Sequence, residues 1–234
     1  MNIATRSLLS FAACLGWVAT ARAQVLFDPT LGTAPAAQGW TSVLAGATQT
    51  VSPAGVRLST LAANAVQAGY FWNATPFDRA KGFTVSVDLQ LLTETHARAD
   101  RAGLSWILLS SDRKGVELAF HPDRVFAQST TFTRSEESLV DTAVARRWDL
   151  AFLGDTYRLS SGGTTWLTGS LRDYSAFGPP YSTPNLLFIG DDTTSARADF
   201  VMGRVAVSAP EPGSAALLLC AVLLSPAFRR RHSG

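Results

Sequence analysis

Cysteine and charge are scarce in this chain. Its 234 residues include two cysteines, Cys14 and Cys220, and 16% of its residues are charged. Both cysteines lie in the terminal segments, so neither a disulfide framework nor thiol chemistry is available to the central part. Helical periodicity longer than about two turns is also lacking between the termini, which disfavours a fold built on helices.

A basic surface is lacking as well. The formal net charge is +2, but five arginines and Glu211 lie in the terminal segments, so the middle carries 15 basic and 17 acidic side chains. Nucleic-acid-binding proteins use basic patches to replace the counterions of the phosphates. We therefore expect no nucleic-acid partner. Apolar residues make up 47% of the chain, enough to form the core of one large domain.

The start of the chain has the pattern of a secretory signal peptide. Arg6 precedes an apolar stretch over residues 8–18, and small residues follow at Ala21 and Ala23. Signal peptidase accepts small side chains at these two positions, which predicts cleavage before Gln24 and export of the mature chain. The alternative is an uncleaved N-terminal anchor, although the apolar stretch is short for a membrane span.

Three elements follow one another near the other end. They are Pro210-Glu211-Pro212, an apolar run over residues 215–228, and Arg229-Arg230-Arg231. A helix of about 14 residues covers about 21 Å, less than the hydrocarbon core of about 30 Å, so the run predicts a marginal membrane span. The arginines favour the cytoplasmic side of that span. The prolines disfavour helix, so we expect the tripeptide to be extended and open to a processing enzyme.

These elements resemble the PEP-CTERM sorting signal of Gram-negative bacteria that make exopolysaccharide. The resemblance implies recognition by an exosortase, a membrane cysteine protease, with transient anchoring in the inner membrane before transfer to the cell surface or extracellular matrix. The alternative is an ordinary tail anchor that stays in the inner membrane. The expected organisation is a signal peptide (1–23), a β domain (24–208) and a sorting tail (209–234), with signal peptidase and exosortase as processing partners.

The central part has the pattern of β-strands. Between residues 83 and 91 apolar and polar side chains alternate strictly, which predicts a half-buried strand. Asp-Arg-Lys-Gly at 112–115 predicts a tight hairpin whose glycine has positive φ, and Gly154 predicts a second hairpin. Gly203, where the apolar register changes, predicts a β-bulge. Many short strands without helices indicate a sandwich or barrel.

The segments SWILLSSDRKGVELAF, YRLSSGGTTWLTGSLRDYSAFG and PNLLFIGDDTTSARADF resemble choice-of-anchor domains of type Y. They resemble concanavalin A-like and laminin-G-like jelly rolls more distantly. The resemblance implies an all-β, antiparallel jelly-roll sandwich of the concanavalin A-like lectin or glucanase type, flanked by the signal helix and a C-terminal hydrophobic helix. It implies no particular chemistry, because jelly rolls serve both lectins and glycosidases.

Catalytic and metal-binding patterns are not evident. A glycosidase needs two carboxylates across the scissile bond. Glu117 lies on a predicted strand without a second strand carboxylate nearby in sequence, so we expect a solvated or ion-paired side chain. No nucleophile-elbow motif and no Cys/His cluster for zinc are recognisable. Asp191 and Asp192 are candidate calcium ligands, the alternative being an acidic turn. No other cofactor is expected.

Exposed aromatic side chains are the remaining candidates for a binding site, because sugars stack on aromatic rings. The aromatic residues in or beside loop-like segments are Trp72, Trp166, Tyr174 and Tyr181. The leading hypothesis is a non-enzymatic, exported surface or matrix protein that binds exopolysaccharide or a surface protein. The alternative is a secreted glycan-active hydrolase or lyase. Two carboxylates about 5–9 Å apart on a concave face would favour the enzyme, and an aromatic and amide face would favour the binding protein.

Overall fold

The computed structural model describes residues 23–62 and 66–209. This part of the chain contains sixteen strands and three short 3₁₀ turns. The strands are β1 (Gln24–Phe27), β2 (Thr41–Val43), β3 (Thr48–Ser52), β4 (Gly55–Ser59), β5 (Ala68–Trp72), β6 (Phe83–His96), β7 (Ser105–Leu109), β8 (Lys114–His121), β9 (Arg124–Gln128), β10 (Arg134–Leu139), β11 (Arg146–Leu153), β12 (Thr156–Ser161), β13 (Thr164–Ser170), β14 (Arg172–Asp173), β15 (Leu187–Asp191) and β16 (Ala196–Ser208). The 3₁₀ turns are Pro29–Leu31, Pro35–Gln38 and Ser175–Phe177.

The strands form two eight-stranded antiparallel sheets. Sheet A has the order β13-β12-β11-β6-β16-β4-β3, with β1 also paired to β16. Sheet B has the order β10-β9-β8-β7-β15-β5-β2, with β14 also paired to β8. The two sheets pack as a jelly-roll β-sandwich, which confirms the predicted fold class. The predicted signal peptide and sorting tail lie outside the described residues, apart from the residues next to their boundaries. Within residues 23–62 and 66–209, no helix has the length and hydrophobicity needed to cross a bilayer.

The core lies between the sheets, and β6 shows how the sequence forms it. Phe83, Val85, Val87, Leu89 and Leu91 are buried, while the polar residues between them are half-buried, as their alternation predicts. Fully burying one such side chain contributes about 1.5–3 kcal/mol.

The predicted turns are confirmed in position, with one correction. Gly154 has φ of 60° in the β11–β12 hairpin, and the register of β16 shifts between Met202 and Val205, around Gly203. In the β7–β8 hairpin, however, the residue with positive φ is Arg113, at 71°. Gly115 is needed for another reason, because a Cβ there would lie 1.9 Å from the Leu108 carbonyl oxygen.

Candidate functional site

The outer face of sheet B is partly covered by its own chain. Residues 174–186, which we call the covering segment, follow β14 and fold over β7, β8 and β15. The apolar side chains that meet there form a cluster separate from the main core: Ile107, Leu109, Tyr174, Tyr181, Leu186 and Phe188, with Phe71 and Phe132 at its edge. The covering segment is thus packed on the sheet by buried apolar area, and its Leu186 carbonyl oxygen also accepts a hydrogen bond from the Leu109 amide at 2.8 Å.

Glu117 lies beneath this segment. It pairs with Ile107 across β7 and β8 and is only 2% exposed. The prediction of a solvated or ion-paired side chain is therefore wrong. The alternation along β8 correctly predicts that the Glu117 side chain lies on the outer face of the sheet, because Val116 and Leu118 on either side of it point into the core. It does not show that residues 174–186 cover that face.

Tyr181 joins Glu117 to a second carboxyl group. Its hydroxyl lies 2.6 Å from Glu117 Oε2 and 3.1 Å from Asp192 Oδ2, and the Ser105 hydroxyl donates to Asp192 Oδ1 at 2.8 Å. A phenol has one proton, so it can donate to only one of the two carboxyl groups. The other contact is a hydrogen bond only when a carboxyl group carries a proton itself.

The charges of the pair follow from this arrangement. Burial raises the pKa of Glu117 well above its ordinary value, and the nearby Asp192 raises it further. Burial raises the pKa of Asp192 as well, and two adjacent negative charges in a desolvated site are costly, so the pair favours holding one proton between its two carboxyl groups. With one proton on the pair, the protonated carboxyl group can donate to the Tyr181 hydroxyl oxygen, and the Tyr181 hydroxyl donates to the other carboxyl group.

A pocket of about 240 Å³ lies beside this network, between the covering segment and β5. Phe71, Phe177 and Phe188 provide aromatic surface, while Gln67 and Asp192 provide polar groups. Phe177 is 53% exposed and is the accessible ring of the set. The Gln67 amide donates to the Asp192 carbonyl oxygen at 2.5 Å. An aromatic face beside an amide and a carboxylate matches the chemistry of a sugar ring, which has apolar faces and hydroxyl edges.

The two tyrosines selected from the sequence are not exposed. Tyr174 is fully buried and its hydroxyl donates to the Gln128 carbonyl oxygen at 2.7 Å, while Tyr181 is 9% exposed. The prediction that they are accessible rings is wrong, because the covering segment turns them inward. The accessible aromatic residue is Phe177, which is not among the four aromatic candidates from the sequence. Phe177 precedes two prolines, and a loop of this kind runs over the surface, so the sequence did contain a signal that its ring is exposed.

The two tryptophans selected from the sequence are half-buried against the main core. Trp72 packs on Trp40, with ring centroids 5.6 Å apart, and its indole N–H donates to Thr75 Oγ1 at 3.0 Å. Trp166 lies 6.5 Å from Trp148, with the Arg146 guanidinium over its ring. The structure therefore brings neither tryptophan together with the pocket.

Asp191 and Asp192 have separate partners. Asp191 is buried and accepts hydrogen bonds from Thr60 Oγ1 at 2.7 Å and from the Thr193 amide at 3.2 Å, whereas Asp192 is bonded to Ser105 and Tyr181. Burial raises the pKa of Asp191 to about 8. A calcium ion at this pair would have to displace the proton of Asp191 and the separate hydrogen-bond partners of the two carboxyl groups.

Another cluster was not visible from the sequence. Glu94, His96 and His121 offer potential ligand atoms that lie within 4.8 Å of one another. Glu94 and His96 are on β6 of sheet A, and His121 ends β8 of sheet B. The sequence showed no Cys/His cluster for zinc because these residues meet only when the two sheets pack together. Burial lowers the pKa of His121.

Comparison with known proteins supports the fold. No protein-family model matches the chain, and no curated protein matches it in sequence. Among solved structures, it is similar to the conserved carbohydrate esterase of the Shiga toxin-encoding bacteriophage phi24B, at 13% identity and a TM-score of 0.57, covering 82% of this chain and all of that one. It is also similar to the Crh5 transglycosylase in complex with NAG, at 13% identity and a TM-score of 0.52, covering 83% and 89% of the two chains. Likenesses at this identity show a shared β-sandwich fold, and function has to be argued from the site.

Proposed function

We propose that this protein is an exported surface or matrix protein whose β-sandwich binds a glycan, without cleaving it, in the pocket beside Phe177. The observation that carries the proposal is the pairing of an accessible aromatic ring with the polar groups of Gln67 and Asp192 on the outer face of sheet B. Export and sorting to the surface are supported by the signal-peptide pattern and by the resemblance of the C-terminal segment to PEP-CTERM signals. Signal peptidase and an exosortase are the proposed processing partners.

The burial of Glu117 argues for binding rather than catalysis. A glycosidase needs both carboxyl groups at the scissile bond. Here Asp192 lines the pocket, but Glu117 is 2% exposed and covered by Tyr181. A glycan in the pocket therefore lies beside Asp192 but does not reach Glu117.

The alternative is a secreted glycan hydrolase or lyase, and one observation favours it. Two carboxyl groups with raised pKa, Glu117 and Asp192, are bridged by the Tyr181 hydroxyl on the same face of the sheet. Such pairs carry out acid–base chemistry in glycan-active enzymes. To act in this way, the site would need the covering segment to lift so that Glu117 reaches the glycan.

Binding is tested by Phe177→Ala, with Leu139→Ala as the matched control. Both side chains are more than half exposed, and Leu139 lies on β10, away from the residues that line the pocket. Loss of an aromatic stacking contact of about 0.5–1.5 kcal/mol weakens binding about two- to tenfold. The dissociation constants of the wild type and both variants are measured by titration with soluble exopolysaccharide and with a panel of oligosaccharides. Equal affinities for the two variants would contradict the proposed site.

Catalysis is tested by Glu117→Gln, which keeps the shape of the neutral acid. For a binding protein, the variant retains affinity and neither protein releases new reducing ends or unsaturated products from the same glycans. Release by the wild type that Glu117→Gln abolishes would establish the enzyme instead.

Sorting is tested in the cells that make the protein. Intact mass and cell fractionation are compared for the wild type and for a triple alanine variant of Pro210, Glu211 and Pro212. The proposal predicts a surface or medium form without residues 1–23 and without the mass of the apolar tail, and it predicts that the variant loses this form. A full-length tail retained in the inner membrane would make the protein a tail-anchored one.

A further inference from the structure

We propose that Glu94, His96 and His121 form a binding site for a divalent cation of the zinc type at one end of the sandwich. Glu94 and His96 are two residues apart on β6, so their side chains point to the same side of the strand. His121 approaches them from the end of β8, and the rings of His96 and His121 are stacked with centroids 4.0 Å apart. A bound cation would therefore link sheet A to sheet B.

His121 is already oriented as a ligand. Its Nε2 lies 2.7 Å from the Arg101 carbonyl oxygen, an acceptor only, so Nε2 carries the proton and Nδ1 has the free lone pair. Metal-binding histidines in proteins commonly donate their second ring N–H to a carbonyl or carboxylate in this way, which fixes the tautomer and the ring. The ring is 3% exposed, so it is held in place by packing as well.

Glu94 is the second fixed ligand. Its side chain is fully buried, and Oε1 accepts a hydrogen bond from the Gly103 amide at 3.2 Å. Its Oε2 lies 2.8 Å from His96 Nδ1. Because Oε1 is oriented by the backbone, Oε2 can bind a cation that replaces the proton shared with His96.

His96 is the ligand that has to move. Zinc–ligand distances of about 2.0–2.1 Å in a tetrahedral site place ligand atoms about 3.3 Å apart. The atoms here lie up to 4.8 Å apart, and the stacked rings, only 6° from parallel, direct their lone pairs side by side. The His96 side chain is 32% exposed, so its ring can turn out of the stack while Glu94 and His121 keep their positions.

The donor set selects the class of cation. Two imidazoles and one carboxylate suit Zn²⁺ and similar first-row divalent ions, whereas Ca²⁺ and Mg²⁺ take oxygen ligands. An open pocket beside His96, lined by Thr95, Ala97 and residues 194–197, leaves space for water as a fourth ligand.

The test uses the purified full chain after treatment with a chelator. Isothermal titration with Zn²⁺ is expected to give one equivalent bound, and titration with Ca²⁺ none. Saturation at about 100 times the dissociation constant should raise the unfolding midpoint by about 5–10 °C. Co²⁺ in the same site should give the visible absorption bands of a tetrahedral ion.

Two variants make the test specific. His96→Ala removes a partly exposed ligand and should leave the fold intact, yet reduce zinc affinity at least tenfold. His232→Ala is the matched control, because His232 is the one remaining histidine of the chain, and it should bind zinc as the wild type does. The proposal is overturned if the wild type binds no zinc, if His96→Ala binds it equally well, or if His232→Ala is the variant that loses it.

Discussion

Asp191 gives the structure a distinctive dependence on pH. Its carboxyl group is buried, and burial raises its pKa to about 8, against about 3.9 in an unfolded chain. Between these two values the folded protein keeps a proton that the unfolded chain has released. The free energy of unfolding therefore falls as pH rises through this window. The stabilisation that Asp191 provides by keeping its proton in the folded protein is fully present only below about pH 4.

The magnitude follows from one proton. Each pH unit in the window lowers the free energy of unfolding by about 1.4 kcal/mol, so Asp191 lowers it by about 2–3 kcal/mol between pH 5 and pH 7. For a domain of this size, that corresponds to a decrease of about 5–10 °C in the unfolding midpoint. Asp191→Asn puts a neutral side chain of the same shape beside Thr60 and has no such proton to lose.

The measurement is urea unfolding of the wild type and of Asp191→Asn at pH 5, 6 and 7. Between pH 5 and pH 7, the free energy of unfolding of the wild type should fall by about 2–3 kcal/mol relative to that of the variant. His121, whose pKa is lowered by burial, has the opposite pH dependence, but it is present in both proteins and cancels in their difference. A difference that stays constant from pH 5 to pH 7 would refute the reasoning.

Three further predictions concern packing and the covering segment. Tyr181→Phe removes the hydroxyl group between two carboxyl groups and should lower the free energy of unfolding by about 1–3 kcal/mol in a denaturant titration. Unchanged stability would show that this hydroxyl group does not stabilise the fold. Gly115→Ala should cost more than about 2 kcal/mol, because its Cβ would lie 1.9 Å from the Leu108 carbonyl oxygen. Leu118 is fully buried in the core, so Leu118→Ala should lower the free energy of unfolding by about 2–5 kcal/mol, while the exposed Leu139→Ala should change it by no more than about 0.5 kcal/mol in the same denaturant titration.

Local patterns in the sequence were enough to predict much of the fold. The strict alternation from Phe83 to Leu91, the turn residues near Gly154 and the register change near Gly203 each correspond to an observed strand, hairpin or bulge. These features depend on residues a few positions apart. Their physical causes, the period of the strand and the φ that glycine allows, are therefore present in short segments. The short strands β1 to β5 lack such a long alternation, so the sequence pattern does not predict them individually.

The site depends on distant contacts, which is why it was predicted less well. The alternation along β8 showed the direction of Glu117, but its burial comes from Tyr181, 64 residues away. The Glu94 and His121 pair likewise requires that strands of opposite sheets meet. Composition gives a partial signal here, because residues 174–181 contain three aromatic side chains and two prolines, more than a solvated loop needs.

The covering segment is what separates the two functional hypotheses. It is held down by the Tyr174 hydroxyl on the Gln128 carbonyl oxygen, by Tyr181 on Glu117, and by the Asn185 side chain, which accepts a hydrogen bond from the Phe77 amide at 2.8 Å. Each such bond contributes about 0.5–1.5 kcal/mol net, and burial of the aromatic rings adds more. An enzyme that used Glu117 would break these contacts for every glycan it admits, whereas a binding protein uses the same contacts to hold Phe177 and Asp192 at a preformed pocket. The closed segment therefore supports glycan binding over glycan cleavage.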